Sequence, residues 1–171
     1  MNPQLVDLLR LLELEPLEVN LFRGESRDIG SPQVFGGQVL GQALSAAAAT
    51  VAERSVHSLH AYFLRRGDFN APIVYQVDRS LDGHSFSNRR VVAIQHGEPI
   101  FNMAASFQVA EEGLDHQIAM PAVPPPEDLP DSSRPPPELL ARLPERLRRF
   151  LEKPRPFEFR LVQPFDYVAP R

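Results

Sequence analysis

No cysteine occurs among the 171 residues, which excludes a disulfide framework, a thiolate zinc site and a cysteine nucleophile. With no support for an oxidising compartment, the expected location is the cytoplasm. A net charge of -4 leaves no excess of lysine and arginine for a broad nucleic-acid surface, because neutralising phosphates dominates such binding. Any anionic ligand must therefore meet a local basic patch. A long apolar run is also missing from the N-terminal stretch: Asp7, Arg10 and Glu13 interrupt the leucines of residues 1–14. This is unlike a signal peptide or a membrane span, so a short amphipathic helix and no membrane partner are expected. The His and Glu spacing forms no metal motif, and no glycine-rich loop stands in the strand-to-helix context of a nucleotide fingerprint. No metal and no cofactor are expected.

What is present is enough to bury one core: 43% hydrophobic and 23% charged residues in a length typical of a single domain. Proline is unevenly spread. Five of the 18 precede residue 121 and the other 13 lie in the last 51 residues. The runs Pro124–Pro126 and Pro135–Pro137 lack amide donors and favour extended geometry. The division expected is a module over 1–119, a semi-rigid proline-rich linker over 120–137, and a short helix plus a strand over 138–171.

Leu5, Leu8, Leu9, Leu11 and Leu12 recur near helical spacing, and Pro16 ends that helix. A strand is expected around Val19 to Arg23. Gln38 to Thr50 is thirteen residues with no formal charge, rich in alanine and leucine, and so predicts a buried helix. Gln38, Gln42 and Ser45 form one polar stripe on it. That stripe either seams the helix to a neighbouring sheet or lines a ligand tunnel. Four further strands are expected over Val56–Leu64, Ile73–Ser80, Ser85–Gln95 and Pro99–Gln108, rich in β-branched and aromatic residues. Leu81-Asp82-Gly83-His84 and His96-Gly97 read as hairpin connections with glycine at positive φ. A helix followed by a long antiparallel meander gives an α+β fold, since an apolar helix of that size needs a curved sheet around it. That geometry is the hotdog fold. Farther on, Leu139, Leu140, Leu143, Leu147, Phe150 and Leu151 keep helical spacing, with a second short helix starting at Pro144, and Phe157 to Val168 begins to alternate like a strand.

Leu21-Phe22-Arg23-Gly24, Val34-Phe35-Gly36-Gly37-Gln38, the segment from His57 to Arg65 and Ser85-Phe86-Ser87-Asn88-Arg89-Arg90-Val91 closely resemble the acyl-CoA thioesterase II family. The resemblance runs on through Pro99-Ile100-Phe101, Ala105-Ser106-Phe107-Gln108 and His116-Gln117, and covers the first half of a family member. It implies a double-hotdog enzyme that hydrolyses medium- and long-chain acyl-CoA to fatty acid and coenzyme A. It further implies that the water-activating aspartate, the serine or threonine and the glutamine belong to the second module, with no counterpart here. One departure is local: Arg65-Arg66-Gly67-Asp68 stands where the family has Arg-Pro-Gly-Asp.

The residues themselves offer part of such a chemistry. Thioester hydrolysis needs a base to activate water and donors for the developing oxyanion. Gly36, Gly37 and Gln38 stand at a helix N-terminus, as backbone donors or as a tight turn with close packing. The helix carries no Asp, Glu or His. His57 and His60 lie in one strand at odd spacing, so they are expected on opposite faces, with one able to face a pocket. Asp68 is the remaining candidate base, and also an ordinary turn former. Gln42, Arg65 and Arg90 complete the candidate substrate contacts, the arginines as partners of coenzyme A phosphates or as a solvated rim. Three readings follow. The first is a thioesterase module whose partners are acyl-CoA and a second hotdog module or another copy of itself. The second is a noncatalytic acyl-CoA-binding or scaffold protein that acts as a homo-oligomer. The third is a homodimer using His60 or Asp68 as its base.

Overall fold

The computed structural model describes residues 2–133 and 135–163. They divide into two compact units, one over 7–112 and one formed by the first few residues with 113 onward. The element order is α1 (Pro3–Leu12), β1 (Glu15–Glu18), β2 (Leu21–Gly24), α2 (Gly36–Ala48), β3 (Ser55–Phe63), β4 (Ile73–Asp82), β5 (Phe86–Gln95) and β6 (Glu98–Gln108). After these come a 3-10 turn at Pro126–Asp128 and the short helices α3 (Pro137–Leu140) and α4 (Glu145–Glu152).

All six strands join one antiparallel sheet in the order β1-β2-β4-β5-β6-β3. The expected meander therefore holds only for β4 to β6. β3 leaves the helix, lies beside β6 at the far edge, and β4 returns to the other side. Around Val19 the chain is a turn rather than the start of a strand, with Asn20 at φ 66°, and the chain pairs on both sides of it as β1 and β2. Pro16, expected only to end the helix, sits within the exposed edge strand β1, where its missing amide costs no ladder bond in the sheet interior.

Strict alternation builds the core. Ile73, Tyr75 and Val77 on β4, Val91 and Ala93 on β5, and Phe101, Met103, Ala105 and Phe107 on β6 are buried on the inner face. Against them packs α2, through Val39, Ala43, Ala46 and Ala47. The absence of charge on this helix is what lets it lie inside the sheet's curve, and its alanines permit close approach.

Two hairpins take the expected places by different means. Between β5 and β6, His96 and Gly97 have φ of 51° and 78°, the left-handed pair that suits a two-residue hairpin. Between β4 and β5, Gly83 is not at positive φ; that turn closes when its amide donates to the Phe86 carbonyl at 2.8 Å.

In the other unit, Pro144 caps α4, matching the helix start expected there. The strand expected from Phe157 is not formed over 157–163. Those amides go to serine hydroxyls instead of a ladder: Phe159 to Ser133 Oγ at 2.9 Å and Leu161 to Ser132 Oγ at 3.3 Å. The rest of that stretch, from residue 164, lies outside the described residues.

Candidate functional site

The two ends of α2 differ. At its start, Phe35 supplies no side-chain cap, so the amides of Gly36 and Gly37 are left without an intrahelical acceptor. Beside this end lies a cavity of about 530 Å³. Its apolar wall is made by Val34, Val39, Phe63, Leu64, Ile100 and Phe101. The Phe63 and Phe101 rings, paired across β3 and β6, lie 5.1 Å apart. The polar part of the lining is Gln33, Gly36, Arg65, Arg66 and Gly67. No carboxylate or imidazole lines it.

Of the candidate substrate contacts, the cavity brings together Gly36 and Arg65. Gly37, Gln38, Gln42 and Arg90 do not line it. Gln38 and Gln42 are buried in a seam instead: both side-chain amides donate to the Glu25 carbonyl, at 3.0 and 2.9 Å. Gln42 also donates to the Leu11 carbonyl at 2.7 Å and accepts from the Tyr75 hydroxyl at 2.7 Å. Burial pushes the Tyr75 phenol well above its ordinary pKa, so it remains a neutral donor. Gly24 is needed here, because a Cβ on it would meet the Gln42 amide at 2.8 Å. These bonds tie Gln38 and Gln42 to the chain just past β2, to the end of α1 and, through Tyr75, to β4.

The histidines depart from the alternation expected of them. A bulge between Val56 and Ser58 shifts the register of β3 against β6. As a result His57 Nε2 lies 2.8 Å from Ser106 Oγ, on the outer face, between the inward Ala105 and Phe107. His60, opposite the exposed Ala104, is on that outer face too. His57 packs on Phe86 with centroids 5.7 Å apart, and His60 packs edge-on to Tyr62 at 4.8 Å. The extra residue of the bulge, not simple period-two spacing, puts both on one side, and neither reaches the cavity.

Asp68 is placed as a turn former. Its Oδ1 accepts from the Asn70 amide at 2.8 Å, and its Oδ2 lies 3.2 Å from His96 Nε2. The Asn70 amide first, then His96, holds its carboxyl below the usual value, which makes it a weaker base. Arg90 projects from the outer face of β5, while Arg89, its neighbour, is almost fully buried.

Two features escaped the sequence. Buried Gln95 grips the loop that carries Arg65 and Arg66: it accepts from the Asp68 amide at 2.9 Å and donates to the carbonyls of Asp68 and Ala71, each at 2.8 Å. A glutamine at a strand end has no sequence signal for such a role. The aromatic pair of the cavity wall was not legible either, because Phe63 and Phe101 come together only through the pairing of β3 with β6.

One charge-free helix within a single curved antiparallel sheet defines a hotdog-fold module. The chain belongs to the acyl-CoA thioesterase family, whose N-terminal domain model matches residues 23–108. It is 47% identical over 162 residues to acyl-coenzyme A thioesterase 8 of Homo sapiens, covering 90% of this chain and 51% of that protein. With acyl-CoA thioesterase 2 of Haemophilus influenzae it shares 46% identity, over 97% of this chain and 59% of that one. The solved acyl-CoA thioesterase II TesB2 of Mycobacterium marinum superposes with a TM-score of 0.66 at 50% identity, covering 81% of this chain and 56% of that one. The chain thus spans between half and three-fifths of the length of these relatives.

Proposed function

We propose that this chain is the N-terminal hotdog module of an acyl-CoA thioesterase, supplying acyl-tunnel wall and module interface to a reaction whose base lies in a second module. The observation that carries this is the cavity at the start of α2: apolar wall, cationic rim, free helix amides, and no group able to activate water. An acyl chain suits the wall, and a thioester carbonyl suits an amide at a positive helix end. The substrates in this reading are medium- and long-chain acyl-CoA, the products free fatty acid and coenzyme A, and the place of work is the cytoplasm. Among the described residues no helix is long and apolar enough to cross a membrane.

The second module has a natural place to pair. Among the described residues β3 is an edge strand whose outer backbone row is unpaired, and Leu59, Tyr62 and Phe63 on it, with Leu64 just past it, are 38% to 60% exposed. The same edge supports a second reading, a noncatalytic acyl-binding scaffold in which another copy of this chain takes the position.

The test is release of free coenzyme A from palmitoyl-CoA by the chain alone and mixed with a separately expressed second module. Turnover only in the mixture is expected. Saturable acyl-CoA binding without turnover in either case would favour the scaffold. Turnover by the chain alone would overturn the missing base and return attention to His57, His60 and Asp68.

A further inference from the structure

The two arginines at the cavity rim are not equivalent. Arg65 is engaged: it donates to the Pro99 carbonyl at 2.7 Å and pairs with Glu98 at 3.2 Å. The nearby carboxylate Asp68 is engaged by Asn70 and His96. Arg66 lines the cavity, and among the described residues no carboxylate lies within ion-pair reach of it. Its backbone is nevertheless held. Leu64 and Arg65 donate to the Ile100 carbonyl at 2.9 and 3.2 Å, the Gly67 carbonyl accepts from Val34 at 3.0 Å, and Gln95 fixes the loop just beyond. A guanidinium with no ion-pair partner among the described residues, on a pinned loop beside a cavity with one apolar wall, suits an anion attached to an apolar body.

We infer that Arg66 is a binding residue that recognises the phosphates of the coenzyme A portion, and so selects a CoA thioester over the same acyl group on a neutral carrier. This rests on the acyl-CoA reading of the cavity and goes beyond it by assigning the head-group contact to Arg66 rather than to Arg65 or Arg90. A planar guanidinium offers paired donors to phosphate oxygens, and attraction at a solvent-open rim is screened by salt.

The experiment compares binding of decanoyl-CoA and S-decanoyl-pantetheine, the second lacking the nucleotide, to the 171-residue chain and to Arg66→Ala and Arg66→Lys. For Arg66→Ala the expected result is a loss of about 3- to 10-fold in affinity for decanoyl-CoA, with decanoyl-pantetheine unchanged. Arg66→Lys should recover part of the loss, and added salt should shrink the preference only while the cation is present. Inorganic phosphate should weaken decanoyl-CoA binding more than chloride does at equal ionic strength, and only while Arg66 is present; the same excess weakening in Arg66→Ala would overturn the assignment. Unchanged decanoyl-CoA affinity in Arg66→Ala overturns it while leaving the acyl-CoA reading intact, and equal loss for both ligands would make Arg66 part of the wall. If the parent chain binds neither ligand, the acyl-CoA reading itself fails.

Discussion

The two ends of α2 have opposite designs. Its C-terminal end is closed. Thr50, just past the helix, accepts from Arg89 Nε on its hydroxyl oxygen at 2.7 Å and from Arg89 on its carbonyl at 3.0 Å, while Arg89 also donates to the Leu81 carbonyl at 3.0 Å and to Asp82 at 2.6 Å. A buried cation at a helix C-terminus meets the negative end of the dipole and several acceptors together. Arg54 extends this clamp to the Gly83 carbonyl at 2.7 Å. The N-terminal end has no side-chain cap and, among the described residues, amides without an intrahelical acceptor, a cavity, an arginine with no ion-pair partner and, nearby, an edge strand with no outer neighbour. Polar groups at the closed end satisfy one another. At the open end they are left for a ligand or a partner.

If that contrast is right, substitutions at the closed end should cost stability, and those at the open side should cost association. The largest effect is expected from Arg89→Met, which keeps bulk but leaves several acceptors without donors; a loss of about 3 to 5 kcal/mol should appear in the urea midpoint. Gln42→Leu, at mid-helix, strands the Tyr75 hydroxyl and takes a donor from the Leu11 carbonyl, while Gln38 still serves the Glu25 carbonyl; it should cost about 2 to 3 kcal/mol by the same measurement. Tyr62→Lys, on the outer face of the open edge and 60% exposed, should move stability by no more than about 0.5 kcal/mol. It should still abolish assembly with a second module in sedimentation; a large stability loss instead would make β3 part of the closed core.

The smallest effect concerns acid. Arg89 first, and then Ser87, hold Asp82 below its ordinary pKa of 3.8. A carboxyl depressed by folding adds stability that is fully present above 3.8 and lost as the pH falls through the lower folded value. Asp82→Asn should therefore flatten part of the decline in stability below about pH 4, read as a shallower acid limb in thermal unfolding. An unchanged acid limb would detach Asp82 from the clamp.

Much of the fold was legible because its determinants are local and periodic. The charge-free run from Gln38 had to be buried, and alternating apolar residues in β4 to β6 had to present one face to it. The site was less so. His57 and His60 were assigned to opposite faces by regular spacing, and one bulge residue cancels that inference. Gln38 and Gln42 were open between seam and tunnel, and the Glu25 and Leu11 carbonyls that accept from them lie far off in the sequence, beyond any local pattern.

The sequence by itself determined that one apolar helix is wrapped by an antiparallel sheet, that residues 38–50 carry no base, and that thiol chemistry is absent. These follow from composition and period alone. Only the tertiary structure decided that β3 crosses to the far edge beside β6, that Gln95 grips the arginine loop, and that Arg65 is paired while Arg66 has no ion-pair partner among the described residues. Each of those depends on contacts between residues far apart in the chain, whose partners no local pattern specifies.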